Sequence, residues 1–226
     1  MKTIPERSHV PQDSQSNATY NSVRRWLSNC IDNHRKCPSN SISPLPARVI
    51  DVKNIQALKL YVSASENGRY VALSHRWGSS ALTTTLANLK SRKKRIIWAE
   101  LPKIFQDAIA ITRQLGLKYL WIDSLCILQD DIADWQRQSA QMASIYANSY
   151  VTIAATSSDG SDSTCLSLNN RSRAPVKLNQ PLIFARKPLA HGHMFNSNEN
   201  NSTYPLFGRA WCFQERLLST RTIRLG

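Results

Sequence analysis

With 226 residues, 42% of them hydrophobic and 19% charged, the chain suits one α/β domain carrying an extension, and two full domains would be crowded. It has no run of about 18 apolar residues and no charged amino-terminal region leading into an apolar stretch, so neither a membrane span nor secretion is predicted. Twenty-nine basic residues against fifteen acidic ones give a formal charge of +14, which favours anionic partners, and five scattered cysteines give no disulfide framework and fit a reducing cytoplasmic or nuclear setting.

Residues 1–19 are polar, lack apolar periodicity and are expected to form a disordered tail. A helix is predicted from Tyr20 through Leu27 toward Cys37, ended by the Ser- and Pro-rich stretch Pro38 to Pro46. Arg48 to Val52 and Ala57 to Val62 can be short strands, with a turn at Glu66-Asn67-Gly68, and residues 20–69 together are expected to be a small amino-terminal extension covering the main domain.

Tyr70 to Ser74 (YVALS) is a mostly apolar run, as expected of a strand buried on both faces. The basic cluster Lys90, Arg92, Lys93, Lys94 and Arg95 is expected in a loop, where it is a solvated charge run, a nuclear address or a phosphate-contacting patch. Pro102 opens a helix with the apolar stripe Ile104, Ala108, Ile111 and Leu115, and Gly116 is placed to cap it. Tyr119 to Asp123 (YLWID) is a second buried strand. Asp130, Asp131 and Asp134 then place negative charge at the start of a helix carrying Ile132, Trp135, Met142, Ile145 and Tyr146 toward the core. Tyr150 to Thr156 (YVTIAAT) is a third strand. Thr164 to Pro205 is rich in Asn and Ser and reads as an insertion, after which Arg209 to Leu218 looks helical and Thr222 to Leu225 can be a final strand. The alternation of strand and helix predicts an α/β fold with a mostly parallel central sheet flanked by helices and right-handed crossovers.

In an open parallel sheet, ligands bind beyond the carboxyl ends of the strands. Three polar clusters meet that condition: Ser74 through Gly78, Asp123-Ser124, and Thr156-Ser157-Ser158. If the strands run side by side, these clusters line one edge, with Trp77 offering a stacking face and Gly78 room for close approach. The ordinary alternative is that Asp123 caps a helix or turn and Trp77 packs under a loop. Cys30, His34 and Cys37 form C-x3-H-x2-C, a spacing that can face one ion, but three ligands do not close a structural zinc site. No metal is therefore assigned, and packing or helix-end roles are expected. Cys126 is expected in the core, and Cys212 lacks a sequence-adjacent base.

The blocks SHRWG, LPKIFQDAI, YLWIDSLCILQDD, DW followed by IYANSYVTIAATSS, and WCFQERLLS occur in the order found in heterokaryon incompatibility (HET) domains. The chain resembles that family from Tyr70 to about Arg221, and residues 70–226 are taken as the domain. The upstream WLSNCIDNHRKC and LPARVIDV resemble the leader that often precedes it. His75 and Arg76 depart from the commoner SYCWG, Cys212-Phe213 departs from Thr-Leu or Thr-Phe, and Gln138 stands where relatives often carry Glu. If that carboxylate matters to activity, this protein is weakened.

The resemblance implies a role in fungal self/non-self recognition and programmed cell death, a form of innate immunity. It further implies a distant likeness to Toll/interleukin-1 receptor (TIR) domains, which are flavodoxin-like and some of which cleave NAD. YVALSHRWG resembles the TIR first strand and loop, and Trp211-Cys212-Phe213-Gln214-Glu215 resembles the TIR helix bearing W-C-x-x-E. By that carry-over Glu215 is the catalytic carboxylate, Ser74, Arg76, Trp77, Gly78, Asp123, Ser124 and Trp211 surround the nucleotide, and NAD is a substrate, with no cofactor expected. Arg76 would pair with the pyrophosphate, and Trp77 or Trp211 would stack a ring. Glu215 between Gln214 and Arg216 can equally be a helix-surface residue. The alternative function is a non-enzymatic module acting through assembly with further copies of itself or with an incompatibility partner. Nucleic acid is a poorer partner because no recognisable nucleic-acid module is present.

Overall fold

The computed structural model describes residues 13–37, 42–78, 81–156, 158, 164–166, 176–177, 184–185, 206 and 210–225. Helix α1 spans Asn17–Asn33, starting before Tyr20 because Ser16 caps it: its Oγ accepts the Thr19 N–H at 3.2 Å. Residues 13–16 of the expected tail thus form the cap, and residues 1–12 lie outside the described residues. The helix stops at Asn33 rather than Cys37, since His34 is extended and its N–H closes on the Cys30 carbonyl.

Short strand β1 (Ser43–Pro44) precedes β2 (Arg48–Asp51), β3 (Lys59–Val62), β4 (Asn67–Gly68) and β5 (Tyr70–Ser74). Next come helix α2 (Leu86–Lys94), helix α3 (Lys103–Gln114), strand β6 (Tyr119–Trp121), the short helix α4 (Asp123–Cys126), helix α5 (Ile132–Asn148) and strand β7 (Val151–Ala155). A small antiparallel pair, β8 (Val176–Lys177) and β9 (Phe184–Ala185), lies within the expected insertion. Helix α6 (Ala210–Leu218) and strand β10 (Thr222–Leu225) follow.

Six strands form one sheet in the order β10-β7-β5-β6-β2-β3. The pairs β10–β7, β7–β5 and β5–β6 are parallel, whereas β6–β2 and β2–β3 are antiparallel. The fold is therefore α/β with helices flanking a mixed sheet, and the expectation of a mostly parallel sheet is corrected at that edge. β2 and β3 do not merely cover the domain. Val49, Ile50, Leu58 and Leu60 are buried, and the unpaired edge of β6 receives β2 with Ile50 opposite Leu120. Every residue of β5 and β7 is buried, which is why both read as mostly apolar runs.

Two further expectations change. The basic cluster is not a loop: Lys90 to Lys94 belong to α2, whose start carries a capping box between Thr85 and Asn88. Its basic last turn suits the negative end of the helix dipole, and Arg95 follows as the cap. On α5, Ile145 and Tyr146 are buried and Met142 packs on the core, but Ile132 is 76% and Trp135 49% exposed. That helix's first turn is held instead by Asp131, which caps the Asp134 N–H, and by Asp134, which pairs with Arg48 of β2.

α3 follows expectation: Ile104, Ala108 and Ile111 are buried, and Gly116 ends the helix at φ 76°, in the left-handed region. Its Asp107 is buried and accepts from Thr164 Oγ1 at 2.6 Å and from the Cys165 N–H at 3.1 Å, so the start of the insertion is docked on this helix.

Burial pushes the Cys126 and Cys165 thiols from about 9 up to about 12. An unfolded thiol ionises near 9 while the folded one keeps its proton, so this stabilisation is complete below pH ~9 and is lost as pH climbs toward about 12. Urea midpoints should fall across that window and fall less steeply in Cys126→Ala; an identical slope would refute the contribution of Cys126.

Candidate functional site at the strand tips

Parallel pairing sets Val71 beside both Leu120 and Val151, so β5, β6 and β7 end at the same edge of the sheet. Beyond β5, the Ser74 hydroxyl donates a hydrogen bond to Glu215 Oε2 of α6, and both residues are buried. The far end of α6 is tied to the neighbouring strand. Ser219 Oγ donates to the Glu215 carbonyl and lies 2.8 Å from Thr152 Oγ1 on β7. Glu215 is thus bonded directly to β5 and linked to β7 through Ser219.

A second network surrounds Asp123, the first residue of α4, which is 6% exposed. Its Oδ2 accepts the Trp77 indole N–H at 2.8 Å, and its Oδ1 accepts the Ser124 N–H at 2.8 Å. The buried His75 ring sets Nδ1 3.9 Å from Oδ1 and stands edge-on to Phe105, 5.1 Å between centroids. Thr84 fastens the same loop by accepting from Gln129 N, donating its N–H to the Ser124 carbonyl and its hydroxyl to the Leu125 carbonyl. Two carboxylates, a serine hydroxyl and an imidazole are therefore gathered around the tips of β5 and β6. Such a set can accept hydrogen bonds from sugar hydroxyls and stabilise developing positive charge.

Residues 70–215, well over half of the chain, match the family model described as heterokaryon incompatibility protein (HET). The chain belongs to the heterokaryon incompatibility family. A heterokaryon incompatibility-type function follows from that membership. No curated protein and no solved structure matches the chain.

Within this HET domain, the expected site residues fall into three groups. Ser74 and Glu215 meet directly, and Trp77, Asp123 and Ser124 form the adjoining network. Arg76 is exposed and Gly78 half-buried. Trp211 lies in α6, and its side chain is outside what is described. Two of these side chains have partners or burial of their own. Trp77 directs its indole N–H to Asp123, so the ring serves the loop as well as any stacked ligand, and Ser124 is wholly buried inside α4. The third cluster contributes little, since the Thr156 hydroxyl is committed to the Leu225 carbonyl at 2.8 Å; Ser157 lies outside the described residues and Ser158 is buried.

His75 lay within the expected Ser74–Gly78 cluster but was given no role around the nucleotide, although its position directly after Ser74 is the same signal that selected Arg76 and Trp77. The HET-domain departure Gln138 is 5% exposed, and its Oε1 meets no hydrogen-bond donor among the described residues. A cleft of about 500 Å³ opens between Leu82, Glu100, Pro102, Lys103 and Gln106, and none of the network residues lines it. Ligand-type side chains also converge at the end of α1, where Cys30, His34 and Cys37 come together.

Proposed function

We propose that this HET-domain protein is a TIR-like NAD glycohydrolase, with Glu215 as the catalytic carboxylate and cell death as the outcome of NAD loss. The observation that carries the reading is the Ser74–Glu215 hydrogen bond at the carboxyl end of β5. It puts the one acid of the W-C-x-x-E block at the sheet edge where α/β folds bind nucleotides. In this reading a ribose hydroxyl of NAD replaces Ser74 as donor to Glu215. The bond between nicotinamide nitrogen and ribose C1′ breaks, its electron pair leaves with nicotinamide, and water adds at C1′ to give ADP-ribose and a proton. The carboxylate stabilises the oxocarbenium-like charge between those events. Arg76, exposed beside the site, would pair with the pyrophosphate.

Purified protein incubated with NAD should release nicotinamide, and Glu215→Gln, which keeps the side chain's shape, should lower that rate by about a hundredfold or more. Equal rates in the two proteins, or intact NAD with both, would sink the reading.

A second reading, assembly without catalysis, is favoured by Ile132 and Trp135. They stand one helical turn apart on α5 and are both exposed. It requires toxicity to survive Glu215→Gln and to be lost in Trp135→Ser.

A further inference from the structure

We propose that Cys30, His34 and Cys37 bind one zinc ion that fastens the carboxyl end of α1. Cys30 and His34 are four residues apart at the last turn, and the chain leaving α1 brings Cys37 back toward them. The ligand atoms of all three lie within 4.8 Å of one another, with Cys37 Sγ 4.0 Å from His34 Nδ1. Around tetrahedral zinc, with bonds of about 2.3 Å to sulfur and 2.0–2.1 Å to nitrogen, neighbouring ligand atoms sit roughly 3.5–3.8 Å apart. Closure therefore needs contractions of at most about 1.3 Å, within reach of side-chain rotation at Cys37 and His34, which are not buried.

The surroundings favour such an ion on two further counts. The site lies at the negative end of a helix dipole, where a cation is stabilised. It also has a charged neighbour: the buried Arg221 guanidinium sets Nη1 4.0 Å from Cys30 Sγ, as an outer-shell N–H donor to a ligating thiolate does. Two thiolates cancel the charge of the dication, so Arg221 faces a neutral cluster and is not repelled by it. Binding sends two thiol protons to solvent and leaves one water as the fourth ligand. Two soft sulfurs and one imidazole at tetrahedral spacing select zinc over the hard cations. Arg221 also donates Nε to the Tyr150 carbonyl at 2.8 Å, and its own carbonyl accepts the Thr152 N–H. The ion would thereby couple the end of α1 to the chain that enters β10.

The test uses the full chain, purified with reductant, stripped with a chelator and titrated with Zn²⁺ and Co²⁺. The expected result is one zinc per chain, and with Co²⁺ a thiolate-to-metal charge-transfer band together with the intense visible bands of tetrahedral cobalt. Cys37→Ser, at a half-buried position outside the helix, should retain the native circular dichroism and weaken zinc binding more than about a hundredfold. Absence of stoichiometric uptake, or the same affinity in Cys37→Ser, would overturn the proposal. None of these readouts depends on NAD.

Discussion

Asp134→Ala should destabilise the protein by about 3–5 kcal/mol, the cost of leaving one member of a buried ion pair unpartnered. Asp134 accepts a hydrogen bond from Arg48 Nη2 and, on the same oxygen, the Leu128 N–H at 3.0 Å; the carboxylate is 5% exposed and the guanidinium 12%. Arg48 also donates Nε to the Cys126 carbonyl at 2.7 Å. Removing the carboxylate strands a cation between β2 and the loop before α5 and orphans a backbone donor, whereas the second cation on Asp134, Arg137, is more than half exposed and loses little. Urea unfolding at neutral pH measures the loss. The double variant Arg48→Met, Asp134→Ala should regain part of it, because the buried charge is gone. A single-variant loss under about 1 kcal/mol would show that water reaches the pair.

Trp121→Ala should cost a similar amount, about 3–5 kcal/mol, through lost burial and the cavity left behind. Trp121 is fully buried on β6 and meets Tyr146 of α5 edge-on at 5.6 Å. Tyr146 in turn donates its hydroxyl to the Leu73 carbonyl at 3.2 Å, so the ring pair locks α5 onto β5 and β6 together. Trp121→Phe keeps an aromatic edge and should lose distinctly less. Equal losses in the two variants would mean that neither the aromatic edge nor the volume that Phe retains contributes there.

Where several physical signals coincided, the sequence was transparent. β5 and β7 are mostly apolar runs because both faces are covered, and Gly116, at φ 76°, stands at a helix end that takes a left-handed residue. The alignment of the strand tips followed from alternating strands and helices. The pairing of Ser74 with Glu215, 141 residues apart, rested on family resemblance, because no local pattern encodes a contact of that range. α2 was missed because it has no buried residue and hence no apolar stripe; its signal is the Thr85–Asn88 cap. Ile132 and Trp135 misled because their spacing fits a core-facing helix, whereas the first turn of α5 is anchored by Asp131 and Asp134. The antiparallel addition of β2 and β3 was hidden as well. Short strands do not announce which edge they will join, and the register of Ile50 against Leu120 depends on a segment 70 residues away.

The sheet does not respect the limits of the family match. Residues 70–215 hold β5, β6 and β7, but β2 and β3 lie before that span and β10 after it. A fragment trimmed to those limits would be a three-stranded ribbon with raw backbone donors and acceptors along both flanks, poised to stick to its own kind. Expression of the matched span alone is thus a recipe for aggregates, and any toxicity it caused would say little about the intact chain.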